Sequence, residues 1–134
     1  MKKKISQLKI NIFNFANKVT FEKVDVERLI RYILKNECYQ DLEVLNIIVA
    51  NAQYLKNLNR KFFHRNRTTN VISFNLDSTG EIYVSSDEVN SPSDLYYYFV
   101  HGLLHIIGYE HRDKETEDLM HRRCREYLKK FSLL

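Results

Sequence analysis

Three of the chain's five histidines fall within eleven residues, at His101, His105 and His111. In a helix, residues four apart project from the same face, so His101 and His105 would lie one above the other. One nitrogen from each can then reach a single metal ion at roughly 2.0–2.1 Å. Gly108 can adopt a positive φ and end that helix, and the returning chain brings His111 in as a third ligand. The spacing therefore predicts a metal centre at the end of a helix.

Three imidazoles leave one position of a tetrahedral zinc ion to water, which is the arrangement of a catalytic site rather than a structural one. We therefore expect one Zn²⁺ per chain, although imidazole also suits nickel and copper. A metal-bound water is therefore the catalytic group that the histidine spacing predicts. The sequence offers no obvious carboxylate that could act as a base. Either Glu110 or a backbone carbonyl could orient an imidazole. His121, further along the chain, is given no role.

The same spacing occurs in the HExxHxxGxxH sequence of zinc peptidases, with one difference. Those enzymes carry a glutamate general base directly after the first histidine, where this chain has Gly102. Peptide hydrolysis is hard to arrange without that carboxylate. In a phosphodiester a metal can stabilise the leaving alkoxide, and in RNA the neighbouring 2′-hydroxyl can attack. Gly102 therefore favours phosphoester chemistry.

The elements that position these residues can be predicted from hydrophobic spacing. Four strands are predicted at residues 9–15, 42–50, 69–76 and 81–85, with a turn at 77–80. Four helices are predicted. The first has apolar residues at helical spacing from Val26 to Leu34 and ends before Cys38. The second begins after Asn51 and carries an apolar stripe of Tyr54, Leu55, Leu58 and Phe62. The third runs from Ser91 and Pro92 to Gly108, and the last covers about residues 115–131. The order β-α-β-α-β-β-α-α predicts an α+β fold with a small mixed four-stranded sheet.

The charge of the chain is modest overall and uneven along its length. Among 134 residues there are 21 Lys and Arg against 17 Asp and Glu, which gives a formal net charge of +4. Between positions 56 and 67 there is no acid, and basic residues are concentrated there. Such a segment suits a polyanion such as RNA, although it could equally be a solvated helix face. Its candidate substrate-binding residues are Arg60, Lys61, Arg65 and Arg67.

Length and composition predict one domain, spanning residues 1–134 as a single catalytic unit. Cys38 and Cys124 form no CxxC pair, which fits a reduced compartment. Neither a signal peptide nor an apolar run long enough to cross a membrane is visible, so we expect a cytoplasmic protein.

The residues from His101 to His111 read HGLLHIIGYEH, which resembles the H-G-x-L-H-x-x-G-Y-x-H signature of the YbeY-type bacterial endoribonucleases at every fixed position. A second block is also similar: Leu58-Asn59, Phe62 and the TNVISF sequence at 69–74 resemble the family's LN…Y…T[DN]VLSF segment. The resemblance spans roughly residues 40–131, and the histidine motif is its specific part.

This resemblance implies a zinc-dependent enzyme that cleaves single-stranded RNA, with His101, His105 and His111 holding the metal. It further implies a role in maturation of the small-subunit rRNA 3′ end and in ribosome quality control. RNA and the ribosome or its small subunit are then the expected partners, with no DNA and no membrane. Ser73 becomes a candidate for the cleft beside the metal. The family usually has an arginine, which is thought to serve the substrate phosphate, where this chain has Phe63; Arg65 or Arg67 could substitute for it.

Two other functions fit the residues. A zinc hydrolase of another class, such as a peptidase that takes its base from elsewhere in the chain, would cleave peptides and ignore RNA. A non-catalytic ribosome-binding factor, in which the three histidines hold a structural metal, would bind RNA with strong salt dependence and cleave nothing.

Overall fold

The computed structural model describes residues 5–64 and 69–134. Four strands and four α-helices follow one another in the predicted order, after a short 3-10 turn at Ile5–Gln7. The strands are β1 (Lys9–Asn14), β2 (Val44–Ala50), β3 (Val71–Leu76) and β4 (Thr79–Ser85). The helices are α1 (Lys23–Asn36), α2 (Ala52–Phe63), α3 (Pro92–Ile106) and α4 (Lys114–Lys130). The predicted α+β fold is confirmed.

The four strands form one mixed sheet in the order β1-β2-β4-β3. β1, β2 and β4 run parallel to one another. β3 pairs antiparallel with β4 and lies at the edge. The turn between β3 and β4 is shorter than predicted. β4 already begins at Thr79, and Asp77 takes the left-handed conformation that closes the hairpin, with φ 59°.

One face of the sheet carries the larger core, and we call it the broad face. Helices α1, α3 and α4 pack there on alternate residues of β2 and β4 such as Leu45, Ile47 and Ile82. The apolar stripe of α1 is buried completely, since Val26, Leu29, Ile30, Ile33 and Leu34 are each at most 1% exposed.

Among the described residues, α2 is the helix that covers the opposite face, and the buried cluster there is small. Leu55 of α2 packs there on Ile48, Ala50 and Ile72. The stripe predicted for α2 is therefore wrong in part, because Tyr54 and Phe62 remain 47% and 52% exposed. One short helix cannot cover the whole face, so the aromatic side chains that flank Leu55 stay at the surface.

None of the helices in the described ranges combines the length and the apolar character that crossing a membrane requires.

Candidate metal centre

Helix α3 carries the first two histidines, and its start is fixed by capping. Ser91 caps the helix by accepting a hydrogen bond from the Asp94 amide at 3.4 Å, and Pro92 follows in the first turn. Leu95, Phe99 and Leu103 are buried against the broad face. Because that side of α3 is locked in the core, the side that carries the two histidines is held in one orientation at the edge of the sheet.

The end of α3 turns the chain back toward those histidines. Gly108 has φ 115°, and its amide donates to the His105 carbonyl at 3.1 Å. The Tyr109 amide donates to the Leu104 carbonyl at 2.9 Å, which completes a Schellman cap. This glycine-dependent turn places His111 beside the helix end, as the spacing predicted.

The three imidazoles form a cluster with the dimensions of a metal site. One nitrogen from each of His101, His105 and His111 lies within 4.8 Å of the others. The Nε2 atoms of His101 and His105 are 3.2 Å apart. Two ligands that each lie 2.0–2.1 Å from a tetrahedral ion are separated by about 3.3 Å, so this pair already has the spacing that zinc requires.

A backbone carbonyl orients His105. Its Nδ1 donates to the Tyr109 carbonyl oxygen at 3.0 Å, which leaves the lone pair on Nε2, the atom that faces His101. The Tyr109 hydroxyl in turn donates to Glu37 at 2.9 Å and so ties the turn to the end of α1. Of the two predicted alternatives the carbonyl is the one observed, while Glu110 pairs with Arg112 at 3.0 Å.

Burial keeps the clustered histidines in the neutral form that binds metal. It is the main cause that lowers the pKa of His101 from 6.5 to about 4, with His105, His111 and His121 adding to it. The pKa of His105 is also lowered, first by burial and then by His111. The Nδ1 atom of His101 is buried without a hydrogen-bond partner in the described structure. Neutral, converging imidazoles fit a metal ion better than they fit one another.

Gly102 packs too tightly to be replaced by a larger residue. A Cβ atom at this position would lie 2.6 Å from Cγ2 of Ile82 on β4, and 3.3 Å from Cγ2 of Val71. The position at which zinc peptidases carry their glutamate is therefore the contact between α3 and the sheet. No carboxylate side chain fits there without moving the helix.

His121, to which the sequence assigns no role, lies beside the cluster without belonging to it. Its ring lies 6.2 Å from the ring of His101, and its Nδ1 is hydrogen-bonded to the Tyr97 hydroxyl. On the other side, Nε2 lies 3.7 Å from the Glu117 carboxylate. The packing of α4 on α3 creates this contact, which no local spacing in the sequence could indicate.

The cluster borders a cleft of about 520 Å³ at the β3 edge of the sheet. Ser73, on β3, lines it together with His105 and His111. Asn59 of α2, which the sequence indicates only as part of the Leu58-Asn59 block, also lines the cleft and is 5% exposed. Asn75, which no sequence signal indicates, lines it too and donates to the Ile106 carbonyl at 3.0 Å. Phe63, the last residue of α2, forms part of the same wall.

Two of the four predicted basic residues, Arg60 and Lys61, are among the described residues. Arg60 and Lys61 lie in the last turn of α2, exposed, and neither is among the residues that line the cleft. Arg65 and Arg67 lie outside the described residues. Their role in substrate binding stays a prediction.

A family profile described as endoribonuclease YbeY matches residues 11–132 of this chain. The chain belongs to the endoribonuclease YbeY family. The YbeY endoribonuclease of Bacillus velezensis is 26% identical, over 94% of this chain and 97% of that protein. The YbeY endoribonuclease of a Wolbachia from Drosophila simulans is 35% identical over 63% of this chain and 66% of its own length.

The fold is also that of a solved structure. A Thermotoga maritima protein, determined in solution, matches with a TM-score of 0.54 and 25% sequence identity, over 92% of this chain and 91% of that one. Membership of the YbeY family thus agrees with the histidine motif, and the profile match extends beyond that motif across nearly the whole chain.

Proposed function

We propose that this chain is a zinc-dependent endoribonuclease that cleaves single-stranded RNA, with residues 1–134 acting as one catalytic domain. The observation that carries the proposal is the convergence of His101, His105 and His111 on one point at the wall of an open cleft. The names of the curated relatives, endoribonucleases throughout, support RNA as the substrate.

Each residue of the site has a part in this proposal. His101, His105 and His111 hold the ion, and the Tyr109 carbonyl keeps His105 turned toward it. When bound, zinc supplies a Lewis acid that polarises a phosphoryl oxygen and activates water. The Ser73 hydroxyl can donate a hydrogen bond to a phosphate oxygen in the cleft. Arg60 and Lys61, one turn from the cleft wall, attract the RNA backbone.

The peptidase alternative is disfavoured by packing. Such an enzyme needs a carboxylate base near the first histidine, and the Gly102 position is filled by Ile82. Glu110 is the one carboxylate among the described residues of the cleft wall, and it is held by Arg112. We therefore assign phosphodiester cleavage rather than peptide hydrolysis to this site.

The decisive test is cleavage of a single-stranded RNA oligonucleotide by purified, zinc-loaded protein, beside a His111→Ala variant purified in the same way. His111 lies after the helix-ending Gly108, so the variant keeps its fold, which circular dichroism checks. We expect one zinc per wild-type chain, cleavage by wild type and at least a hundredfold slower cleavage by the variant. Equal cleavage by both would assign the activity to a contaminant.

Two further outcomes separate the alternatives. Cleavage of a peptide library, with RNA left intact, would favour the hydrolase of another class. Zinc content and RNA binding without any cleavage would favour the non-catalytic ribosome-binding factor.

The cellular role that we propose is maturation of the small-subunit rRNA 3′ end and ribosome quality control, in the cytoplasm and with the small subunit as partner. Two observations support this role: the chain belongs to the YbeY family, and its formal net charge is +4. Small subunits that carry 3′-extended rRNA are the substrate to test. Trimming of the extension by wild type, and not by His111→Ala, is the expected result, and an unchanged extension would contradict the role.

A further inference from the structure

Phe63 is the aromatic side chain that α2 contributes to the cleft wall, and it belongs to a cluster of packed aromatic rings outside the cleft. Phe63 and Phe74 are stacked, with ring centroids 5.7 Å apart and planes 10° apart. Phe74 is in turn held edge-on by Phe62 at 5.4 Å and by Tyr83 at 5.9 Å. Tyr83 donates a hydrogen bond to Glu81 at 3.0 Å. These contacts support the ring of Phe63 from behind.

The Phe63 side chain is partly accessible. It is 44% exposed although its ring packs on Phe74 in an offset stack, and it lines the cleft that also contains Ser73, His105 and His111. A rigid, exposed aromatic face within a substrate cleft is costly in water and is typical of a surface that a ligand covers.

The surroundings of this ring favour a polyanion with flat, apolar groups. Helix α2 contains no acidic residue, and Arg60 and Lys61 occupy its last turn beside Phe63. Lys61 Nζ lies 5.4 Å from the centroid of the Phe62 ring. Basic side chains beside aromatic ones are typical of sites that bind single-stranded nucleic acid, because the charges attract the backbone and every base has a face that can stack.

We propose that Phe63 is a stacking platform for a base of single-stranded RNA in the metal cleft, next to the phosphate that is cleaved. The inference rests on the proposed RNA substrate and adds the reason for strand selectivity. A base in a duplex is stacked between its neighbours and cannot present a face to Phe63. An unpaired base can, so the platform selects single strands without reading their sequence.

The platform also accounts for the departure at this position. The resembling family usually has arginine here, which serves a phosphate, whereas Phe63 offers no charge. Contact with the base would replace contact with the backbone. Binding at this position should therefore depend on the base and depend little on salt.

The test removes the Phe63 ring and one RNA base, singly and together, and measures the affinity for RNA each time. Fluorescence anisotropy is used, with zinc-loaded protein and labelled single-stranded RNA at low temperature. A gel run afterwards checks that the RNA is intact. An abasic nucleotide is moved along the oligonucleotide. At one position it should weaken binding to wild type by on the order of tenfold. Phe63→Ala should bind the intact RNA as weakly as wild type binds the abasic RNA. Its affinity should fall no further when the base is removed.

Matched variants separate stacking from other causes. Phe63→Tyr keeps an aromatic face and should bind like wild type, whereas Phe63→Leu keeps apolar character and should bind like Phe63→Ala. Phe15→Ala is the control, because Phe15 is 71% exposed and stacks on Phe13 at the opposite edge of the sheet. It should leave RNA affinity unchanged. The preference for single-stranded over duplex RNA should fall in Phe63→Ala.

The outcomes distinguish this proposal from the proposed function. An additive cycle, in which the abasic site weakens both proteins equally, would overturn stacking and leave cleavage untouched. A coupled cycle in a protein that cleaves no RNA would keep the platform and overturn the nuclease. A wild-type dimer that Phe63→Ala separates into monomers, with RNA affinity unchanged, would overturn stacking and assign the ring to contact between two copies of the chain.

Discussion

The two faces of the sheet are built from similar residue types, yet the apolar side chains are buried on one face and partly exposed on the other. On the broad face, α1, α3 and α4 pack together on the sheet, and every apolar residue of the α1 stripe is buried there, as is Phe99. On the other face, α2 buries Leu55 and leaves Tyr54, Phe62 and Phe63 about half exposed. The difference teaches that apolar spacing alone does not tell a core from a binding surface. The number of elements that cover a face decides it.

The candidate metal centre lies where these two faces meet, at the β3 edge. His101 and His105 come from α3 on the broad face, His111 comes from the turn after it, and Phe63 of α2 lines the same cleft. The broad face thus places the histidines rigidly, and the face covered by α2, which we call the aromatic face, supplies accessible surface.

Phenylalanine removal should have opposite consequences on the two faces. Phe99→Ala empties a closed core and should cost about 3–5 kcal/mol of unfolding free energy. Phe63→Ala removes a half-exposed ring and should cost no more than about 1 kcal/mol, while RNA affinity falls. Denaturant titration of both variants measures the first quantity. Equal destabilisation by the two changes would mean that the aromatic face is a core after all.

Gly102→Ala tests how tightly α3 is seated on the broad face. The new Cβ would lie 2.6 Å from Cγ2 of Ile82, so overpacking should cost about 1–3 kcal/mol. Combining it with Ile82→Ala removes the atoms that clash. The double variant should then lose less stability than the two single variants added together. An additive result would show that contact with Ile82 is not the cause of the destabilisation.

Most of the broad face could be predicted from the sequence, and the reason is local. Val26, Leu29 and Ile33 repeat at helical spacing, and the turn at Gly108 follows from one glycine at the right distance from His105. Hydrophobic periodicity and cap residues are contained within a few turns of chain. The convergence of His101, His105 and His111 was predictable for the same reason.

The remaining features depend on contacts between elements distant in the sequence. His121 reaches His101 only because α4 packs on α3, and Phe63 faces the cleft only because α2 ends beside the β3 edge. Tyr54 and Phe62 have the spacing of buried residues, yet within the described ranges no other helix packs beside α2 to bury them. Spacing within an element carries no information on how many elements cover it.

The pH dependence of the metal-free protein should report on the histidines that the broad face holds. His101 has a pKa of about 4 when folded and 6.5 when unfolded, because burial opposes its charge. Between these values the unfolded chain binds a proton that the folded chain does not. The contribution of neutral His101 to the free energy of unfolding should therefore be fully present above pH 6.5 and decline as the pH falls toward 4.

Thermal unfolding of metal-free protein between pH 4 and 7 measures this decline. In His101→Gln the melting temperature should fall less steeply across the same interval, since the group with the most lowered pKa is gone. Identical slopes in the two proteins would mean that His101 is not buried enough to resist protonation.

Phe63→Arg is the smallest change and the sharpest one for the aromatic face. It replaces a surface for a base with a charge for a phosphate, on the same helix end and beside Arg60 and Lys61. One additional phosphate contact should steepen the salt dependence of RNA binding by about 0.7 in the slope of log K against log salt for a single strand. Phe15→Arg adds the same charge at the far edge and should leave the slope unchanged. An equal change in both variants would mean that net charge alone attracts RNA, whereas a change confined to position 63 would place the RNA backbone within reach of this cleft wall.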